Sequence, residues 1–343
     1  MILFSKVKDM SVQCARKYAL LLLFLTGFAI IISGCGENEQ EFHLGILQWT
    51  EKVQPYQQTY KGIIDRLSDS GFKTDLNLKI DYLNVEQDQI KAFNGAKGFV
   101  EEKVDLIVAL GTGSSLAALK ATNLNRIPIV FSIVGAPKAT GIIDSYDQSG
   151  RNITGVSMKI PVQEQFQQIN DILPNIKKCG ILYTTEMVQA VATAQEAIDV
   201  APKFGWEPVP VVLSRQDLHS LRNTVQTLAE QVDLIYIPTD PVLSSPDHLS
   251  TIIEVADKNQ TPVFGVAKKF VENGILAAIH CDYYEIGRQT GNSIIRILRG
   301  VSVQNIPSKK PMITRLSLNL QKAQQLNIKI PRAVILKADN LIN

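Results

Sequence analysis

The run Gly111-Thr112-Gly113-Ser114-Ser115 follows a buried apolar stretch and opens a helical pattern. The first turn of a helix leaves backbone N–H groups without partners and carries partial positive charge, so a carboxylate fits there without Lys or Arg. Ser114 alone also reads as an ordinary N-cap. The run is not a dinucleotide fingerprint, because Leu116 stands where the third glycine belongs. Gln48 and Trp49 end the first apolar run and offer an amide and a flat indole face, although an indole in this place also reads as plain packing. Asp240, after Pro238-Thr239, holds the matching place in the second half. It is the candidate to meet a cationic amine by a charge-assisted hydrogen bond, or else it caps the turn before Pro241. Tyr183, Thr184 and Ser157 complete the set of candidate binding groups, and Asp282 either joins them or holds a hinge.

Catalytic chemistry finds little support. The sequence has no His-Glu-x-x-His pair, no Gly-x-Ser-x-Gly elbow and no phosphate loop with Lys. The four histidines, His43, His219, His248 and His280, are scattered. Only His280 falls at a strand end beside the expected cleft, where a structural role is favoured. No catalytic residue, metal ligand or cofactor is assigned.

The elements that must position these groups alternate short Val/Ile-rich runs with amphipathic helical patterns, the signature of βαβ units and a parallel sheet. Phe42 to Trp49 reads as a strand, and Tyr56, Tyr60, Ile63, Ile64 and Leu67 recur at helical spacing before Gly71. Leu76, Leu78, Ile80 and Tyr82 alternate as a half-buried strand. Asp105 to Leu110 and Ile127 to Ile133 give two further strands, with helices before and between them. After the loop around Gly141 to Asn152 the pattern restarts with Val162, Phe166, Ile169 and Leu173. Val104-Asp105-Leu106-Ile107 returns as Val232-Asp233-Leu234-Ile235, and Ile127-Pro128-Ile129-Val130-Phe131 is echoed by Thr261-Pro262-Val263-Phe264. The expected fold class is α/β, with two doubly wound parallel-sheet lobes of like topology. Open α/β sheets bind ligands beyond the carboxyl ends of their strands, so function belongs to the loops there.

The first residues differ in kind. Lys6, Lys8, Arg16 and Lys17 precede an apolar run from Tyr18 to Ile32 that ends in Ile32-Ser33-Gly34-Cys35. The run is short for a membrane span, which needs about 20 apolar residues, and reads as a signal peptide over 1–34. Ile-Ser-Gly-Cys resembles a bacterial lipobox, which would make Cys35 the lipidated first residue of the mature chain, followed by a linker over 35–41. Each buried methylene of such an anchor contributes about 0.8 kcal/mol of membrane affinity. Without the four basic residues and Asp9 of the signal, 35 basic and 33 acidic residues become 31 and 32. Nothing in that balance supplies the basic stripe that nucleic acid requires. Apart from Cys35 the mature chain keeps Cys179 and Cys281, whose pairing the sequence leaves open.

Gly45-Ile46-Leu47-Gln48, Val104 to Ala109, Asn152-Ile153-Thr154-Gly155-Val156-Ser157, Ile237-Pro238-Thr239-Asp240 and Asp282 to Gly291 together resemble the ABC-transporter substrate-binding family that includes tryptophan- and tyrosine-type binding lipoproteins. The resemblance runs over nearly the whole mature chain. It implies a type I periplasmic-binding-protein fold whose chain crosses between lobes three times, near Gly155, near His280 to Asp282 and near Val303. The first lobe would comprise 42–155 plus 281–303 and the second 156–280 plus 304–343, with a helix from Tyr283 to Arg299 returning to the first lobe. It further implies an exported monomer, lipid-anchored at the outer face of the cytoplasmic membrane or on a periplasmic leaflet. Such a monomer would bind an aromatic L-amino acid or related small solute and pass it to permease subunits. A sensory module that presents the solute to a membrane receptor, or a carrier for a different amino acid or small organic solute, is the alternative. Where many relatives carry an acidic or hydroxyl residue in the loop after the strand matching Val263-Phe264, this chain reads Gly265-Val266-Ala267-Lys268-Lys269.

Overall fold

A computed structural model describes residues 41–123 and 126–342. The signal segment and Cys35 lie outside the described residues.

The first sheet is built from β1 (Phe42–Gln48), β2 (Leu78–Asn84), β3 (Leu106–Leu110), β4 (Ile129–Val134) and β5 (Ile153–Ser157), in the order β2-β1-β3-β4-β5 with all pairs parallel. Helices α1 (Gln54–Asp69), α2 (Gln89–Glu101) and α3 (Thr112–Ala121) supply the crossovers. Every residue of β3 and β4 is buried, as expected for strands covered on both faces. Leu44, Ile46, Leu106 and Val108 pack against α1, while Leu47, Ile107 and Ala109 pack against α2 and α3. Leu76 stands outside β2, in a turn with its side chain 63% exposed. The start of α2 is set by Asp88, whose carboxyl accepts from the N–H groups of Ile90 (2.7 Å) and Lys91 (2.9 Å).

The second sheet repeats this order with β6 (Lys178–Thr184), β7 (Glu207–Leu213), β8 (Leu234–Tyr236), β9 (Val263–Gly265) and β10 (Ala277–Cys281). Two C-terminal strands extend it, giving β7-β6-β8-β9-β10-β11-β12, where β11 (Thr314–Asn319) is antiparallel to β10 and β12 (Asn340–Ile342) is parallel to β11. Helices α4 (Val162–Ile172), α5 (Val188–Val200), α6 (Leu221–Ala229), α7 (Pro246–Lys258) and α8 (Lys268–Glu272) cover it. Phe166 of α4 is wholly buried against Trp206 and Tyr236, with ring centroids 5.0 and 5.2 Å away. Burial of one such side chain contributes about 1.5–3 kcal/mol.

The repeated tetrapeptides do the same work in both sheets. Asp105 Oδ2 accepts from His43 N–H at 2.7 Å, and Asp233 Oδ2 accepts from Lys178 N–H at 2.8 Å. Each aspartate thereby ties the start of one strand to the start of its neighbour. The Pro128 and Pro262 carbonyls in turn accept from Ile107 and Ile235 N–H at 3.0 and 2.9 Å.

The chain passes between sheets after β5, after β10, and again before β11. Helix α9 (Tyr283–Leu298) follows β10 and packs on α1, β4 and β5 of the first sheet. The third passage comes later than Val303. Thr154 Oγ1 donates to Ile306 O at 2.7 Å, and Lys309 N–H donates to Gly155 O at 2.8 Å, so the segment stays beside β5 through Lys309. Two short helices, α10 (Leu320–Gln325) and α11 (Arg332–Ile335), close the chain between β11 and β12.

Candidate functional site

Alternation carried one residue past the end of β1 sends Gln48 and Trp49 to opposite faces. Gln48 is 1% exposed, its Nε2 donates to Thr50 O at 3.1 Å, and its Oε1 has no hydrogen-bond partner among the described residues. It borders a groove of about 270 Å³ with Glu51, Gln57, Tyr60 and Tyr82. Trp49 turns to the α3 side and lies flat on Gly113, where any side chain would collide with the indole ring.

Gly111 adopts φ +96°, a conformation that favours glycine, and a Cβ there would also stand 2.7 Å from the Tyr56 hydroxyl. The start of α3 is thus enclosed by Trp49, Tyr56 and the glycines. Thr112 is half-buried, and Ser114 is fully buried with no partner for its Oγ among the described residues. A hydroxyl beside the free N–H groups of a helix start suits a small anion. Burial pushes the Tyr56 phenol up to about 12, so it remains a neutral donor.

In the second lobe, Asp240 is 1% exposed and fully engaged. Its Oδ2 accepts from Thr184 N–H (2.6 Å) and Thr184 Oγ1–H (2.9 Å), and its Oδ1 accepts from Val242 N–H (2.9 Å) and Leu243 N–H (3.2 Å). Its role here is the loop cap, and four donors leave it little capacity for a ligand amine. Thr184 is consumed by the same network, and Tyr183 packs half-buried at the rim of the core.

Asp240 and Thr239 nevertheless line a cavity of about 280 Å³. Its walls are Met158, Lys159 and Ile160 after the first crossing, Gln165, Thr193 and Ser244 from the second lobe, Val266, Phe270, Cys281 and Tyr283, with Val53 and Gly135 from the first lobe. Most of the polar groups are already paired within the protein. Gln165 accepts from the Tyr236 hydroxyl (2.8 Å) and donates to Ile160 O (2.9 Å), Thr193 Oγ1 donates to Gln189 O (2.7 Å), and Lys159 is 2.5 Å from Glu196. What remains to a ligand is mainly apolar: Met158, Ile160, Val266, Phe270 and the Tyr283 ring.

Ser157 accepts from the Tyr146 hydroxyl at 3.0 Å and lies outside this cavity. Asp282 caps α9 by accepting from Glu285 N–H at 3.1 Å and pairs with Arg315 at 2.9 Å, which in turn reaches Asp339 at 2.8 Å. That network borders a second cavity, of about 520 Å³, with Gln54, Gln58 and His280. His280 Nε2 is 2.9 Å from Ser317 Oγ, and burial pulls its pKa below the ordinary value. Cys179 and Cys281 are both free thiols in the core. Burial raises both, Cys281 to about 12.

The structure therefore brings Thr239 and Asp240 into one cavity and Trp49, Gly111, Thr112, Gly113 and Ser114 around one helix start. Gln48, Ser157 and Asp282 each lie in other surroundings. Tyr56, Met158, Phe270 and Tyr283 were missed by sequence reasoning, because apolar and aromatic residues read as core. Only the positions of Met158 and Tyr283 beside crossings gave a signal.

A family model described as ABC transporter substrate binding protein matches residues 45–342. A tyrosine-binding protein of Clostridioides difficile is 28% identical over 91% of both chains. An ABC domain in complex with L-Trp from Streptococcus pneumonia is 27% identical with a TM-score of 0.73, covering 88% of this chain and 100% of that one. A ligand-free, open structure of a substrate-binding protein with adhesive properties from Clostridium difficile is 26% identical with a TM-score of 0.78, covering 88% and 99%.

Proposed function

The chain belongs to the ABC transporter substrate-binding protein family, and on that premise we propose that it is the extracytoplasmic lipoprotein of an importer for an aromatic L-amino acid. The solute's ring lies against Met158, Ile160, Val266, Phe270 and Tyr283, and its carboxylate meets the start of α3 with Thr112 and Ser114 when the lobes close. The observation that carries this reading is the wall of this cavity: with most of its polar groups spent on partners within the protein, it offers apolar surface in a space of about 280 Å³. The tyrosine-binding relative and the L-Trp complex support the same class of solute.

The first lobe comprises β1 to β5 with α9 and the second comprises β6 to β12. Trp49 acts through the helix start that it covers. Asp240 and Thr184 shape the second-lobe wall, and Tyr183 and Thr239 flank it. The signal over 1–34 is removed, Cys35 carries the lipid, and the protein works as a monomer with permease subunits, without a cofactor and without altering its solute.

Thermal unfolding with L-Trp, L-Tyr and L-Phe tests the proposal. A ligand at 100 times its dissociation constant adds about 2.7 kcal/mol of stability. Stabilisation by one of the three that Phe270→Ala diminishes is the expected result. Indifference to all three, with a response to a solute lacking a ring, overturns it.

A further inference from the structure

At the end of the first sheet away from the cleft, His43 of β1 meets Asp81 of β2 and Glu102, which caps the C-terminal end of α2. One ligand-capable atom from each lies within 4.8 Å of the other two. His43 Nε2 is 2.5 Å from Asp81 Oδ2, and these side chains are 18% and 31% exposed, so an ion can reach them from solvent. The Lys79 ammonium stands 3.3 Å from the same Asp81 oxygen on a 54% exposed side chain that is free to swing aside.

The second lobe supplies the comparison. Lys178 holds the place of His43, since each shares the same backbone pairing with the aspartate of the repeated tetrapeptide. Lys178 carries its own fixed charge to Glu207, 3.5 Å away. In the first lobe that lysine is replaced by an imidazole, a ligand rather than a permanent cation, set between two carboxyl groups.

We propose that His43 Nε2 and one oxygen each of Asp81 and Glu102 bind a divalent transition-metal ion, with water completing its coordination. One imidazole with two carboxylates suits Zn2+, whereas Ca2+ and Mg2+ prefer oxygen alone. The three ligands come from β1, β2 and the end of α2, so the ion staples these three elements together. It acts as a structural site remote from the solute.

The test is calorimetric titration of the purified full chain with Zn2+ after stripping with EDTA, together with its thermal midpoint. One saturable equivalent is expected, with a midpoint raised by Zn2+ and restored by EDTA. His43→Gln and Glu102→Gln should each weaken binding by more than about tenfold, the scale on which even outer-shell changes act. Glu102 is exposed, so its variant should keep the metal-free midpoint. Absence of saturable uptake, uptake unchanged in both variants (an adventitious ion only), or Ca2+ binding as tightly as Zn2+ overturns the assignment.

Discussion

The carboxyl group of Asp240 gathers two donors from Thr184 and two backbone N–H groups from Val242 and Leu243, tying the end of β6 to the loop after β8. Removing a buried acceptor leaves all four donors unsatisfied, and bonds to a charged group contribute about 1.5–3 kcal/mol each. Asp240→Ala should therefore lower stability by about 3 kcal/mol or more in urea unfolding. Asp240→Asn should cost less, because it keeps one acceptor for Val242 and Leu243. An alanine variant as stable as the parent would return Asp240 to the pool of ligand groups. Tyr56 illustrates the opposite case: a residue that spacing assigns to the core places its hydroxyl beside Gly111, at the start of α3.

Among the elements, the pair α1 and α9 decides how α9 is held against the first sheet. Gly62 and Gly287 let the two backbones touch. A Cβ on Gly287 would overlap the Thr59 carbonyl oxygen and come within 3.0 Å of Gly62 Cα, and one on Gly62 would overlap the Tyr284 carbonyl oxygen. Thr59 Oγ1 donates to Tyr283 O at 3.2 Å, and Ser132 Oγ lies 2.8 Å from Thr290 Oγ1, fixing α9 against α1 and β4. Backbone atoms cannot yield as a flexible side chain can, so Gly287→Ala should cost about 1–3 kcal/mol by overpacking. Gly98→Ala in α2 is the control. Among the described residues nothing stands within 4 Å of a Cβ added there, and the gain in helix propensity predicts stabilisation of up to about 1 kcal/mol. Equal effects at the two sites in a denaturant series would remove close approach as the reason for Gly287.

For the whole molecule, the proposed function makes the relation between the two walls of the cleft the variable to measure. The apolar wall at Phe270 and Tyr283 and the helix start at Thr112 and Ser114 border different spaces. A solute that contacts both gains the second set of contacts only on closure, which shifts the population toward the closed form. Saturating L-Trp should therefore reduce the radius of gyration in small-angle scattering. An unchanged radius in the presence of proven binding would show that one lobe suffices. The three passages between sheets, at Ser157 to Met158, at Cys281 to Tyr283 and after Lys309, are where such motion must be absorbed, and the Asp282–Arg315–Asp339 ion pairs brace the second and third.

The sequence by itself determined the fold class, the alternation of strand and helix, and the doubling of the lobes. Those features are local: Val/Ile runs, helical spacing and turn residues act over a few neighbours, and the repeated Val-Asp-Leu-Ile marks a tie that both sheets use identically. It also located the start of α3 and the loop carrying Asp240. Only the tertiary structure decided which donors Asp240 had already accepted, that the indole of Trp49 lies over Gly113, and that β11 joins its sheet antiparallel. Those outcomes depend on partners far apart in the chain: Thr184 and Asp240 meet across 56 positions, and Ser132 and Thr290 across 158. No local pattern encodes which hydrogen-bonding groups will be spent before a ligand arrives.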